Sequence, residues 1–253
     1  MVTEKPYMNY RIRFAWLAVF AVAMGFLEGI VVIYLREIYY PDGFKFPLSL
    51  LSPELVSIEW IREISTLIML VAAGIITGRN NRQRLFYALF AFGVWDIFYY
   101  VALKLLIGWP ASLLTWDLLF LIPLSWLGPV LAPVINSLTM IVMAIMIIGR
   151  EEKRCIVKIA PGEWAMIFGG GLVILYTYLI DFSRLILQSG ILSGGSTAEE
   201  EKRLTALVTS YVPDRFAWLI FIAGEAMIIV ATFLIMKRAG KKNITIPERP
   251  ADA

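Results

Sequence analysis

The sequence predicts an all-α integral membrane protein with six transmembrane helices and one proline-broken segment that enters the bilayer without crossing. Three observations carry this. Apolar residues make up 59% of the 253 residues against 17% charged, more apolar surface than a soluble domain of this size can bury. They fall in runs of about 20 residues, the length that crosses a hydrocarbon core. The runs are near-continuous, without the alternation of barrel strands, so the backbone must satisfy its hydrogen bonds as helices.

The elements follow in order. A polar start with Lys5, Arg11 and Arg13 precedes the first run, Phe14–Tyr34, which is too long for a signal-peptide core and lacks a small-residue cleavage pattern. Five further runs, at about Trp60–Thr77, Leu85–Ile107, Pro129–Ile148, Trp164–Leu187 and Phe216–Met236, complete six spans and a single transmembrane domain over 1–253. The stretch Trp109–Gly128 is also apolar, but Pro110 and Pro123 break it and Pro129 follows. Seven spans is the alternative if it crosses.

Charge distribution decides between these topologies, because short cytoplasmic loops are enriched in Lys and Arg. Four basic clusters stand out: Lys5, Arg11 and Arg13; Arg79, Arg82 and Arg84; Arg150, Lys153, Arg154 and Lys158; and Lys237, Arg238, Lys241, Lys242 and Arg249. All four share one side only if Trp109–Gly128 does not cross. The expected arrangement therefore has both termini cytoplasmic, in a plasma membrane. Trp109–Gly128 is then a re-entrant or interfacial segment on the outer face, with Trp109, Trp116 and Trp126 at headgroup level. The connections 35–59 and 188–215 also fall outside, and the charge run Glu199–Arg203 reads as a solvated helix start or turn.

Composition narrows the chemistry. The chain has no histidine, the commonest metal ligand and the commonest general base near neutral pH. No cofactor or metal is expected, and His-ligated haem, His-based zinc and Ser-His or Cys-His catalysis are excluded within this chain. One cysteine, Cys155, allows no intrachain disulfide, and a net charge of +3 does not argue for nucleic acid. No Gly-x-Ser-x-Gly elbow, phosphate-binding glycine loop or Asp-rich metal motif is present. Gly169-Gly170-Gly171 lies inside an apolar run, where close helix packing or a local break is expected.

Ionisable residues inside spans cost about 2.5–3.5 kcal/mol each on insertion and default to functional candidates. Counting from the predicted outer ends places Glu63, Lys104, Asp181 and Arg184 near the outer interface, Glu28 deeper, and Asp96 and Glu225 near mid-membrane. No ionisable residue falls in the inner half of a span away from its end. This asymmetry predicts a polar chamber on the outer side, formed by Glu28, Asp96, Tyr99, Tyr100 and Glu225, with Asp117 contributing from above.

Each residue also has a plainer reading. Asp181 and Arg184, three apart, suit a structural ion pair, and Lys104 can snorkel to the headgroups. Glu28 follows a small-residue face of Ala21, Gly25 and Gly29 that favours close packing. Arg36 can pair with Glu59 or Glu63 across the first two helices, or join Arg62 in binding an anionic headgroup or substrate. Asp96 and Glu225 are too deep to snorkel and have no basic partner one turn away. The pairs Trp95-Asp96 and Trp116-Asp117 hint at an internal duplication.

Three function classes fit, in this order. The first is binding or proton-linked transport of a small solute through the outward-facing polar cavity. The second is a non-catalytic subunit or assembly factor of a larger membrane complex. The third is an enzyme acting on a lipid-type substrate through carboxylates. Expected partners are the lipid bilayer and either a small solute or a protein subunit.

Overall fold

The computed structural model describes residues 9–49, 51–153, 155–190 and 198–241. Lys5, Arg154, Lys242 and Arg249 of the basic clusters lie outside the described residues. Six helices are long and apolar enough to cross a membrane: α1 (Tyr10–Tyr39), α2 (Pro53–Thr77), α3 (Asn81–Ile107), α4 (Leu131–Glu152), α5 (Pro161–Ser189) and α7 (Trp218–Arg238). A shorter helix, α6 (Ala198–Val208), joins α5 to α7. The protein is an all-α multi-pass membrane protein.

Helices α1, α2 and α3 begin before their apolar stretches because polar caps lie beyond the apolar limits. Ser52 accepts from the Leu55 N–H and is followed by Pro53 in the first turn, where a missing N–H costs nothing. Asn9 and Asn80 likewise accept from Arg11 and Gln83. At the other end of α3, Gly108 takes φ +71° and its N–H reaches the Lys104 carbonyl.

Helix α3 is the spine: α1, α2 and α4 all pack along it, while α5 pairs with α7. Small residues let these backbones meet. A Cβ on Gly25 would lie 2.7 Å from the Trp95 carbonyl oxygen, one on Gly74 2.6 Å from the Ala88 nitrogen, and one on Gly93 2.7 Å from the Ser137 carbonyl oxygen. In the glycine triplet only Gly170 makes such an approach, 2.6 Å from the Gly224 carbonyl oxygen, and α5 continues unbroken through it. By contrast, α1 and α2 hardly touch each other. The wedge between them, both leaning on α3, is where the cavity forms.

The Trp109–Gly128 segment provides no seventh spanning helix. It folds as an antiparallel hairpin of β1 (Trp116–Phe120) and β2 (Trp126–Pro129), with Asp117 opposite Gly128 and an irregularity between Leu118 and Phe120. The prolines deny the segment a helical hydrogen-bond ladder, and pairing two short strands satisfies the backbone instead. The hairpin rests on α5, where the Trp126 ring stacks on Tyr178 at 6.1 Å. The two Trp-Asp pairs therefore sit in different secondary structure, one helical and one extended, which removes the hint of duplication.

At the opposite end of the bundle, ion pairs stitch the helix ends together. Arg13 reaches Glu152 at 2.5 Å and the Thr77 carbonyl at 3.2 Å. Arg82 pairs with Glu151, and Arg238 with Glu163. Short strands β3 (Cys155–Ile156) and β4 (Gly240–Lys241) pair there too. The start of α1, the α2–α3 and α4–α5 connections and the end of α7 thus meet at one basic end, away from the hairpin. The charge run Glu199–Arg203 falls at the start of α6.

The packing predicts a contrast between adjacent glycines. Gly170→Val should destabilise the protein by about 1–3 kcal/mol or more, as overpacking does. Gly171→Val, whose Cβ would meet nothing within 4 Å, should not. Thermal unfolding in mild detergent reads the difference, and equal midpoints would contradict the α5–α7 approach.

Candidate functional site

The hairpin end encloses a cavity of about 480 Å³ walled by α1, α2, α3, the hairpin, α5 and α6. Its polar side begins on α2, whose inward stripe reads Glu59, Glu63, Thr66, Leu70 and Gly74. This face is polar toward the hairpin and apolar toward the basic end. Arg62, one residue off the stripe, lies between its carboxylates and α1.

Arg62 is the hub. Its Nη1 meets the Glu28 carboxylate across the wedge, its Nε and Nη2 both reach Glu59 Oε2 at 2.8 Å, and Glu63 lies 3.9 Å away. Thr66 donates to the other Glu28 oxygen at 3.3 Å. One guanidinium therefore joins α1 to α2 where direct packing is thin. Glu63 acts in a second direction: both its oxygens lie within 3.1 Å of the Leu121 backbone nitrogen. That contact fixes the turn between β1 and β2 to α2.

Arg36 forms the second charged centre. It is only 8% exposed, with Nη2 2.9 Å from Asp117 Oδ1 and its guanidinium carbon 3.8 Å from the Trp109 ring centroid and 4.4 Å from that of Phe44. A planar guanidinium suits this setting because it stacks on aromatic faces while its edge binds a carboxylate. Asp117, fully buried, also accepts from the Leu118 N–H at 2.9 Å, and Tyr100 offers its hydroxyl to the same carboxyl. Burial pushes the Asp117 carboxyl up to about 6, with Arg36 and these hydrogen bonds opposing the rise.

Of the residues singled out in the sequence, Glu28, Arg36, Glu63, Asp96, Tyr99, Tyr100 and Asp117 line this one cavity. Asp96 holds the floor from α3, accepting from Ser137 of α4 at 2.8 Å. Arg36 pairs with Asp117 and not with Glu59 or Glu63, because the hairpin inserts its carboxylate beside α1 and leaves the α2 acids to Arg62. Glu225 is elsewhere: it does not line the cavity but is buried on α7, with Thr139 of α4 as a polar neighbour. Asp181 and Arg184 lie 3.7 Å apart with the arginine largely exposed, a surface pair of small energetic weight. Tyr211, following α6, reaches Asp181, and burial with that carboxylate holds its hydroxyl above the ordinary phenol range.

Lys104 is exposed and folds back on the end of α3. Its Nζ donates to the Gly108 and Pro110 carbonyls at 3.1 and 2.8 Å, closing the end of α3 and anchoring the hairpin's approach. The pivotal role of Arg62 and the part of Glu59 are not evident from depth-counting, which treats residues singly. The spacing of Glu59, Glu63 and Thr66 on one helical face is the signal that identifies them.

No group of three or more His, Cys, Asp or Glu side chains among the described residues is arranged to hold a metal ion. The arrangement offers a largely apolar chamber with charged groups contributed by α1, α2, α3 and the hairpin.

Two outcomes test this geometry. A double-mutant cycle on Glu28→Gln and Arg62→Met should show a coupling of about 1–3 kcal/mol in denaturant or thermal unfolding; additive effects would place the two side chains apart. Because Asp117 binds its proton more tightly in the folded state, its ionisation subtracts stability as pH rises from about 4 to about 6. That part of the pH dependence should be missing in Asp117→Asn when unfolding is followed over this window.

No protein-family model, curated protein or solved structure matches this chain.

Proposed function

We propose that this protein binds a small solute in the hairpin-end cavity as the recognition step of transport across the membrane. The observation that supports this most directly is the cavity itself. Its volume of about 480 Å³ falls within the range of small-molecule sites, about 300–1,000 Å³. Its lining combines apolar walls with fixed charges from several elements, the mixture that gives such sites both affinity and orientation. Ionisable groups at membrane depth are otherwise expensive to maintain.

In this reading the basic end faces the cytoplasm and the hairpin end the outside. The support is charge: Arg11, Arg84, Arg150, Lys153, Lys158, Lys237 and Arg238 belong to the segments at the end opposite the hairpin, the asymmetry expected of cytoplasmic segments. Glu28, Asp96 and Asp117 then form the polar wall reached by solute from outside, and proton binding by these carboxyls couples occupancy to pH. Glu225, outside the cavity on α7, is assigned no solute contact.

Two measurements check this reading. Native mass spectrometry from mild detergent should detect a retained adduct of a few hundred daltons that disappears in Val32→Trp, a cavity-lining substitution, while the monomer mass and thermal midpoint persist. An adduct unaffected by filling the cavity would place binding elsewhere. For sidedness, an impermeant thiol reagent applied to intact cells should label Ser210→Cys in a Cys155→Ser background and spare native Cys155; the reverse pattern would invert the topology.

A further inference from the structure

The cavity's charge count and the state of its donors go beyond solute binding in general and name a class of ligand. Five carboxyls line it, from Glu28, Glu59, Glu63, Asp96 and Asp117, against two guanidiniums, from Arg36 and Arg62. Three acids therefore have no counter-charge in a space with low-dielectric walls. Such a set does not hold its full negative charge: it keeps protons or takes up a cation.

The arginines do not make the site receptive to anions. Arg62 is consumed by Glu28 and Glu59, with Glu63 close by. Arg36 gives Nη2 to Asp117 and lies against the Trp109 and Phe44 rings. An anion would find only Arg36 Nη1 left to receive it and would have to approach five carboxyls. Acceptors are more available: Asp96 uses only Oδ2, toward Ser137, and Glu59 only Oε2, toward Arg62.

Two further features shape the ligand. Aromatic rings of Trp60, Trp95 and Tyr99 line the same space beside Leu and Val side chains, which suits a cationic head next to π faces and an apolar tail. Independently, Arg36 is buried to more than nine-tenths, lines the cavity, and has Nη1 without a hydrogen bond among the described residues. A buried donor left unmade is costly, and an acceptor oxygen on the ligand would satisfy it.

We propose that the cavity takes an amphipathic organic cation bearing a hydrogen-bond acceptor, and that its binding drives protons off the carboxyl cluster. The proposal rests on the solute-binding reading above. The groups that share the proton balance are Glu28 and Arg36 of α1, Glu59, Arg62 and Glu63 of α2, Asp96, Tyr99 and Tyr100 of α3, Asp117 of the hairpin, and Tyr39 and Tyr40 at the end of α1. The lining residues of α5 and α6 carry no ionisable side chain.

The test is isothermal titration calorimetry of the full chain in phosphatidylcholine nanodiscs, with four probes. Hexanoylcholine carries the cation, the ester acceptor and an apolar tail. Its neutral isostere is 3,3-dimethylbutyl hexanoate, octyltrimethylammonium lacks the acceptor, and octanesulfonate reverses the charge. Saturable binding of hexanoylcholine is expected, about tenfold or more tighter than the neutral isostere and tighter than octyltrimethylammonium. Titration in two buffers of different ionisation enthalpy should reveal proton release. Glu59→Gln and Asp96→Asn should each weaken hexanoylcholine by about fivefold.

If either variant fails to fold, the probe series on the unmodified chain still decides. Preference for octanesulfonate, or equal binding of the neutral isostere, overturns the cation assignment while leaving solute binding in place. Equal binding of octyltrimethylammonium removes the acceptor from the proposal, and cation binding without proton release removes the proton coupling. Saturable binding of none of the probes overturns the cation assignment, and the adduct measurement on Val32→Trp then decides solute binding separately.

Discussion

A guanidinium inside a membrane protein must find its counter-charge within the protein, and Arg62 does so by collecting carboxylates from two helices. The fold around it follows from that requirement. Helices α1 and α2 each pack tightly on α3 through small residues but scarcely meet one another, so an apolar contact cannot close the gap between them. The Arg62 bridge to Glu28 spans it instead. What remains open between the helices is the cavity.

The same constraint operates at the second charged centre. Arg36, near the end of α1, is buried by the hairpin, which brings Asp117 to one edge of the guanidinium while Trp109 covers a face. The hairpin is held in turn by Glu63 on α2, through the Leu121 N–H. Charge satisfaction thus links α1, α2 and the hairpin in a circuit: Arg62 joins the helices, Glu63 fixes the hairpin to α2, and Asp117 returns it to α1. Buried ion pairs contribute little net stability once desolvation is counted, but removing one member leaves a buried charge. They specify an arrangement more than they strengthen it.

The two ends of the molecule use charge differently. At the basic end, amid an excess of Lys and Arg, the acids enter ion pairs that tie helix termini together, as in Arg13 with Glu152 and Arg238 with Glu163. At the hairpin end, acids outnumber bases around the cavity. Ion pairs are sufficient for holding helices together. An unbalanced set around a cavity needs protons or a cation to offset its charge.

The sequence by itself determined the membrane fold and the number of spanning helices, because near-continuous apolar runs of spanning length admit one backbone solution in lipid. Its charge distribution, with the prolines of Trp109–Gly128, favoured six spans over the alternative of seven, and it pointed to most of the ionisable residues that line the cavity. Tertiary structure alone decided which of them meet. The hairpin geometry, the preference of Arg36 for Asp117, the convergence of acids on Arg62 and the placement of Glu225 away from the cavity all depend on how helices rotate about α3. Depth in a span is a one-dimensional property that a sequence displays directly. The direction a side chain faces is set by packing between segments far apart in the chain, through contacts such as Gly25 against Trp95 and Gly93 against Ser137.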